Sequence, residues 1–263
     1  MLTNYIQVND MRKYFISIFL ILWRALGYTT EFNNHYSDFE LSYTFSDTYL
    51  IIKDFNRDTY EKTEKKYKYE IKKEHGIEYI YFDNEKYLML KCKDLLFLFD
   101  NQNKLFFKGT IFGIMHDEFV DIFDSCKTSS FLQKDGIDYS WSELKGRGIG
   151  KPWIEGEKGY GIAEWMQFGV SKKENIYLSI GYVDYNNPQL YREYSRPKKL
   201  KIFLNDKFLK YVELEDTPDF QKIEIRGNEP GRVRLEIWDI YEGTKYPKDT
   251  CVNMAVYDSI ASE

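Results

Sequence analysis

Cysteine, histidine and proline are scarce in this chain, and each scarcity closes a route. Three cysteines in 263 residues, Cys92, Cys126 and Cys251, stand far apart and are odd in number. They cannot build a disulfide framework or a paired-cysteine zinc site, although one bridge with a leftover thiol stays open. The three histidines, His35, His75 and His116, all fall in the first half, in turn-like or polar contexts. None belongs to a G-x-S-x-G elbow or an H-E-x-x-H pair, and surface positions are expected for them. Six prolines and 16 glycines exclude a proline-rich linker and a collagen-like repeat. Charge of one sign is lacking too: 37 Lys plus Arg face 42 Asp plus Glu, for a formal net charge of −5. Residues 1–125 hold 16 basic and 20 acidic groups and residues 126–263 hold 21 and 22, so neither half names a charged partner. A nucleic-acid partner needs a clustered basic face, which this balance does not supply.

What the chain has in quantity is aromatic residues, 18% of the total, as 23 Tyr, 19 Phe and 5 Trp. Such a chain is long and apolar enough for one large core or two modest ones. The N-terminus carries an address. Met11-Arg12-Lys13 begins a basic segment, Tyr14 to Trp23 is apolar except for Ser17, and Ala25-Leu26-Gly27 offers small residues for cleavage. This is the three-part anatomy of a secretory signal peptide, with residues 1–10 as an upstream extension. The apolar run is about half the ~20 residues of a spanning helix. Nothing later is long enough, so no transmembrane span is expected after cleavage. Export to the periplasm, cell surface or medium is the expected localisation.

From Phe39 to Thr110 the pattern is strand throughout: Glu40 to Lys53, Lys68 to Lys73, Ile77 to Phe82, Tyr87 to Lys91, Leu95 to Phe99 and Leu105 to Lys108. Short polar turns such as His75-Gly76 and Asp83-Asn84 separate them, which makes antiparallel hairpins. A meander of about six strands results, and it buries a face only by closing into a small barrel or packing on another layer. Gly113 to Lys134 differs, with Met115, Phe119, Ile122 and Phe123 at helical spacing, which predicts a short amphipathic helix as a linker. Longer strands follow, Glu164 to Val170, Ile176 to Val183, Lys198 to Leu204, Lys207 to Glu213, Gln221 to Arg226, Val233 to Tyr241 and Val252 to Tyr257, joined by unequal connections. That predicts a jelly-roll sandwich. The fold class is therefore all-β. The divisions are 1–27 extension and signal peptide, 28–112 β-meander domain, 113–125 helical linker, and 126–263 jelly-roll domain.

Few residues suggest chemistry. Gly146-Arg147-Gly148-Ile149-Gly150-Lys151 fails as a phosphate loop, because Lys145 stands at the first glycine position and Pro152 follows the lysine; a surface loop is expected. Glu155, Glu157 and Glu164 are near one another in sequence, but the paired carboxylates of glycoside hydrolysis need a geometry that spacing does not give. Asp216 and Asp219 fall short of a calcium loop. Neither a metal nor a cofactor is implied, and structural calcium has no supporting spacing. More suggestive are aromatic and polar residues interleaved in the connections: Trp141, Trp153, Tyr160, Tyr182, Tyr185, Tyr191 and Tyr194 with Glu155, Asp184, Asn186, Arg192 and Arg196. Aromatic faces stack on the apolar face of sugar rings while amide and charged groups bond the hydroxyls. Trp165, Phe168 and Trp238, inside strands, are expected in the core.

The second half carries a resemblance. Ser129-Ser130-Phe131-Leu132, Tyr139-Ser140, Trp153-Ile154-Glu155-Gly156, Gly159-Tyr160-Gly161-Ile162 and Glu164-Trp165 stand in order, followed by Gly181-Tyr182, Tyr191 and Arg196 to Ile202. Ile237 to Tyr241, Gly243, Tyr246 and Asp249-Thr250-Cys251 complete the series. It resembles the NADase-type glycan-binding domain, a galactose-binding-like or discoidin-like jelly roll of bacterial proteins, over roughly Cys126 to Tyr257. The W-[IV]-E-G…G-x-G-I-x-E-W run is its specific part. The resemblance implies a β-sandwich that binds glycans without catalysis; the NADase of the family name is a separate module, for which residues 28 to 125 are too few. The first half is loosely similar to small lipocalin-like barrels.

Taken together, these readings give an exported, non-catalytic bacterial protein whose jelly-roll loops bind a glycan or glycoprotein. The expected ligand-binding residues are Trp153, Glu155, Tyr182, Tyr191, Arg192 and Arg196. The alternative is a protein–protein interaction or adhesion module that meets an envelope or host protein through the same loops, since Tyr and Arg enrichment suits that equally.

Overall fold

A computed structural model describes residues 30–35, 39–56, 58–93, 95–110, 120–122, 126–141, 148–171 and 173–258. The segment expected as a signal peptide, His116 and residues 142–147 lie outside them. In the first half nine strands form one antiparallel sheet: β1 (Thr30–His35), β2 (Phe39–Phe45), β3 (Tyr49–Asn56), β4 (Lys62–Lys68), β5 (Glu70–Glu74), β6 (Ile77–Phe82), β7 (Glu85–Lys91), β8 (Leu95–Phe99) and β9 (Leu105–Thr110). The order is β4-β3-β2-β1-β9-β8-β7-β6-β5. The run expected as one strand from Glu40 to Lys53 turns at Ser46, whose side chain accepts from the Tyr49 amide, and becomes β2 and β3. Beyond the expected strands there are β1 and β4; β4 reads Lys-Thr-Glu-Lys-Lys-Tyr-Lys and is nearly all exposed, so it carried no apolar signal.

The two edges of this sheet are one stretch of chain. β4 and β5 are separated only by Tyr69, so the sheet curls until its ends meet at that bend. The curl gives it an interior, filled by Tyr43 and Leu50 against Ile80, Phe82, Met89, Leu96, Leu98 and Phe107. Tyr43 and Phe107 lie 3.9 Å apart by ring centroids. The barrel-like meander is therefore packed with side chains. Its tightest turns are two residues long, and His75-Gly76 and Asp83-Asn84 both take positive φ throughout. Such mirror-type turns match the twist of the strands they join.

The second half is a sandwich of β10 (Val120–Ile122), β11 (Cys126–Thr128), β12 (Gln133–Lys134), β13 (Ile137–Asp138), β14 (Trp153–Ile154), β15 (Trp165–Val170), β16 (Lys173–Ile180), α1 (Leu190–Glu193), β17 (Tyr194–Leu204), β18 (Lys207–Glu213), β19 (Gln221–Arg226), β20 (Gly231–Tyr241) and β21 (Tyr246–Asp258). One layer runs β11-β15-β20-β17-β18, and the other is β16 flanked by β19 and β21. β17 and β21 bridge the layers through a short parallel contact. Between the layers lie Trp153, Met166, Phe168, Ile176, Leu178, Leu200, Ile202, Ile223, Val233, Leu235 and Ala255. The linker helix is not what the described residues form. Val120–Ile122 is a strand on β21, and Cys126–Thr128 is a strand on β15. The backbone hydrogen bonds of the sandwich edge outweigh a modest helical period there.

A third layer boundary joins the halves. Alternate residues of β16 and β21 point away from the sandwich core, and Tyr177, Met254 and Val256 meet Ile77, Tyr79, Leu88, Leu90, Leu95, Phe97 and Phe99 of the first sheet. All five residues of β8 are buried, one set in the barrel interior and the other at this junction. Polar bonds pin the edges: Asn103 Nδ2 donates to Asp184 (2.9 Å), and the Tyr185 amide donates to Asn103 Oδ1 (2.8 Å). Tyr185 Oη donates to Lys86 O, and the Phe220 amide to Lys91 O. Gly148 belongs here, because a Cβ would sit 2.5 Å from Asn103 O. The segment expected as a glycine-rich surface loop is, from Gly148 to Gly150, docked on the first sheet, with Ile149 buried.

Candidate functional site

The chain enters the sandwich beside the end of β21, where Val120 pairs with Asp258. The start of β21, at Tyr246, therefore marks the opposite end. Four connections converge there, residues 129–140, 155–164, 181–193 and 242–245, because β14 and β16 finish beside Cys251 and Val252 and β20 turns back into β21. The six residues expected from the sequence all belong to this end or its supports.

Trp153 is fully buried in the sandwich core, and its Nε1 donates to Ser130 O at 2.8 Å. Neither face of its ring is open to a ligand. Glu155 is buried as well. Its Oε2 accepts from the Glu157 amide (2.9 Å) and its Oε1 faces the Thr250 amide, so the carboxyl ties the 155–164 loop to β21. Burial pushes it up to about 7 against the pull of those amides. Glu164 accepts from the hydroxyls of Ser129 and Ser130, so this carboxylate too is occupied in holding loops together.

Tyr191, Arg192 and Arg196 meet on one carboxylate, Asp216. Arg196 binds it through Nε (2.6 Å) and Nη2 (2.8 Å), Tyr191 Oη donates to it at 3.0 Å, and Arg192 Nη1 also donates. Burial alone would raise the Asp216 carboxyl, but the hydrogen bonds and charge of Arg196, then Arg192, hold it below its ordinary range. Tyr191 is fully buried and Arg196 nearly so, with the guanidinium 4.9 Å from the Tyr191 ring centre. Gly181, at φ +84°, makes room: a Cβ there would lie 2.7 Å from the Tyr191 ring. This network is a brace, and two of its three expected ligand residues cannot touch a ligand. Arg192 keeps an exposed flank. Tyr185 and Asn186, from the same connection, are turned to the first sheet and bonded to it.

Tyr182 belongs to a different group, which the sequence reading only half assembled. Its ring lies 6.4 Å from Tyr139 and 5.0 Å from Tyr194, which lies 4.4 Å from Tyr246. Leu132, Leu190, Ile154 and Cys251 complete the cluster. Tyr182 and Tyr194 are buried walls, while Tyr139 and Tyr246 are half-buried at the margin. The ammonium groups of Lys245 and Lys134 sit 5.2 and 5.5 Å from the Tyr246 ring centre. Burial first, then neighbouring phenols, drives the Tyr182 hydroxyl well above its ordinary range, and burial does the same for Tyr194. The Tyr182 hydroxyl donates to Gly150 O (3.1 Å), and the cluster presents the half-buried rings of Tyr139 and Tyr246 beside two cations. Tyr139 and Tyr246 were legible in the family-like series but not as ligand residues, since nothing in their spacing brings them together.

Two core assignments also change, those of Trp165 and Trp238: Trp165 is only half-buried, alternating along β15 with the buried Met166 and Phe168. Phe168 is buried, but Trp238 is 47% exposed, on the outer face of β20, with Tyr211 at 5.5 Å and Phe208 next in the row. Val233, Leu235 and Ile237 of β20 face the core, so alternation along the strand puts Trp238 on the opposite, outer face, which no further layer covers. All three cysteines are free thiols, and His75 is exposed in its turn.

Fold and site together define an F5/8-type, discoidin-like β-sandwich carrying a barrel-like sheet on one face. Residues 118–257, just over half of the chain, match the NAD glycohydrolase translocation F5/8 type C domain, and the protein belongs to that family. No curated protein sequence matches it. Among solved structures, an insecticidal delta-endotoxin from Bacillus thuringiensis aligns over 89% of this chain and 41% of its own, with 8% identity and a TM-score of 0.32. The M60 catalytic domain with CBM51-1 and CBM51-2 of Clostridium perfringens ZmpB aligns over 89% and 31%, at 8% identity and a TM-score of 0.30. This chain thus spans less than half the length of either. At such scores the fold assignment rests on the family match and the strand order. Among the described residues no helix is long and apolar enough to cross a membrane.

Proposed function

We propose that this protein is an exported, non-catalytic module that binds glycan at the loop end of its sandwich, over the tyrosine cluster. The observation that carries the reading is the row Tyr139–Tyr182–Tyr194–Tyr246, with half-buried rings at its margin and two lysines beside it. Half-exposed rings offer a stacking face, and neutral phenols both donate to and accept from sugar hydroxyls. Tyr182 stays in the site as a wall. Trp153, Glu155, Tyr191 and Arg196 act from behind, by holding the 155–164 and 181–193 connections, and Arg192 stands at the flank. Absence of catalysis is supported by the use of Glu155, Glu164 and Asp216 in loop bracing, which leaves those carboxylates engaged with protein donors. Export is supported by the basic, apolar and small-residue pattern before residue 28.

Affinity for a single sugar unit is expected to be weak, because a shallow site leaves much of the ligand in water. A glycan array screened with the full chain tests the reading, with Tyr246→Ala as the companion variant. Related hits that vanish with Tyr246→Ala support it. A blank array from folded protein transfers the reading to protein contact, for which exposed Phe208, Tyr211 and Trp238 form the surface at hand.

A further inference from the structure

Residues 53 to 68 look electrically mixed along the chain, yet the hairpin of β3 and β4 sorts them by face. Leu50, Ile52 and Tyr67 point into the barrel interior. Their alternates point outward, and by register these are Tyr49 opposite Lys68, Ile51 opposite Lys66, Lys53 opposite Glu64, and Phe55 opposite Lys62. Within the hairpin the outer face therefore carries four lysines against the carboxylate of Glu64, with Glu40 of β2 in register opposite Phe55 at its margin, on a chain whose formal net charge is −5. All four lysines are exposed. Two lie against aromatic rings, Lys66 Nζ 4.0 Å from the Tyr49 centre and Lys62 Nζ 5.2 Å from the Phe55 centre. At the tip, Tyr60 is 79% exposed, the largest exposure of any apolar side chain described, beside Phe55 at 6.4 Å. Asp58 and Glu61 flank it in the turn.

We propose that this hairpin face docks the protein on an anionic phospholipid surface, with the lysines meeting lipid phosphates and Tyr60 entering the headgroup layer. Lysine charge on long apolar stems, partly exposed Ile51 and Phe55, and a projecting tyrosine are the chemistry of an interfacial contact. The outward residues include no amide, serine or histidine that would read sugar hydroxyls, which separates this face from the tyrosine cluster. Charge complementarity sets the occupant: a diffuse negative surface suits a row of lysines that no pocket encloses.

Co-sedimentation of the full chain with phosphatidylcholine vesicles, with and without phosphatidylserine, tests this. Binding is expected only with phosphatidylserine, and it should fall as salt rises. Lys62→Gln with Lys66→Gln should weaken it by about 25-fold, roughly fivefold for each lysine. Tyr60→Ser should weaken it further, whereas Tyr246→Ala should leave it unchanged, so its outcome is separate from that of glycan binding. These exposed positions permit the variants to be checked for unchanged unfolding. Absence of binding by the folded chain, equal binding to neutral vesicles, indifference to the double substitution, or capture by a soluble sulfated polysaccharide in preference to vesicles would each overturn the proposal.

Discussion

The two halves of the molecule use the same material, aromatic-rich antiparallel strands, in opposite ways. In the first sheet almost every strand pairs with its neighbour along the chain, and only β1 with β9 and the bend at Tyr69 close it. In the sandwich the main pairings, β15 with β20, β16 with β21 and β17 with β20, bring together strands far apart in sequence. The contrast extends to exposure. β8, Leu-Leu-Phe-Leu-Phe, is buried on both faces because the sandwich covers what a lone barrel would leave wet. β18, Lys-Phe-Leu-Lys-Tyr-Val-Glu, leaves Phe208, Leu209 and Tyr211 exposed because no layer covers it. An aromatic side chain in this protein is core or surface according to what lies across from its sheet, and that is a property of the assembly.

Substitutions can sharpen the contrast. The largest effect is expected for Trp153→Ala, which opens a void between the sandwich layers and strands the Ser130 carbonyl; a loss of about 3–5 kcal/mol in denaturant unfolding should follow. Phe97→Ala at the junction removes a ring packed 5.0 Å from Phe220 and should cost about 3 kcal/mol. It should also split a single calorimetric transition into two, since it weakens the junction and leaves both cores intact. One transition with an unchanged midpoint would show that the halves are not coupled there.

The pH dependence comes next. Glu155 rises from an ordinary 4.5 to about 7, and Asp219, beside the junction, from 3.8 to about 6, both through burial first. The folded chain therefore keeps protons that the unfolded chain has released. This stabilisation is complete below the ordinary values and is lost as pH rises through about 6 and 7. Thermal unfolding from pH 5 to 8 should show the melting temperature falling, and Glu155→Gln should flatten the upper part of that fall. A melting temperature that rises over this range would contradict the assignment. Smallest in stability should be Trp238→Ala, within about 1 kcal/mol, although it is the same residue type as Trp153.

The site was only partly readable. The 181–193 connection, the 155–164 loop and Tyr182 were recognisable from aromatic, charged and glycine residues in order, and they do lie at one end. The roles within that end were not. Trp153, Tyr191 and Arg196 have the composition of a binding surface, yet Asp216, 20 residues beyond Arg196, draws two of them inward. Tyr139 and Tyr246, more than 100 residues apart, share a cluster because β14 and β21 pair. The lysine face of β4 was invisible for a related reason: Lys53 joins Lys62, Lys66 and Lys68 on one face only through strand alternation and the register of β3 with β4.

By itself the sequence determined the all-β class, the hairpins of the first half and the succession of the longer sandwich strands along the chain. Two-residue turns such as Asp83-Asn84 and period-two alternation are local, set by backbone sterics and by the pleat. Only the tertiary structure decided which faces are covered: that β8 is buried twice, that Trp153 is core and Trp238 surface, and that the residues from Gly148 to Asn186 nearest the first sheet belong to a junction. Alternation assigns a side chain to a face, but its burial depends on a second layer brought there by distant parts of the chain.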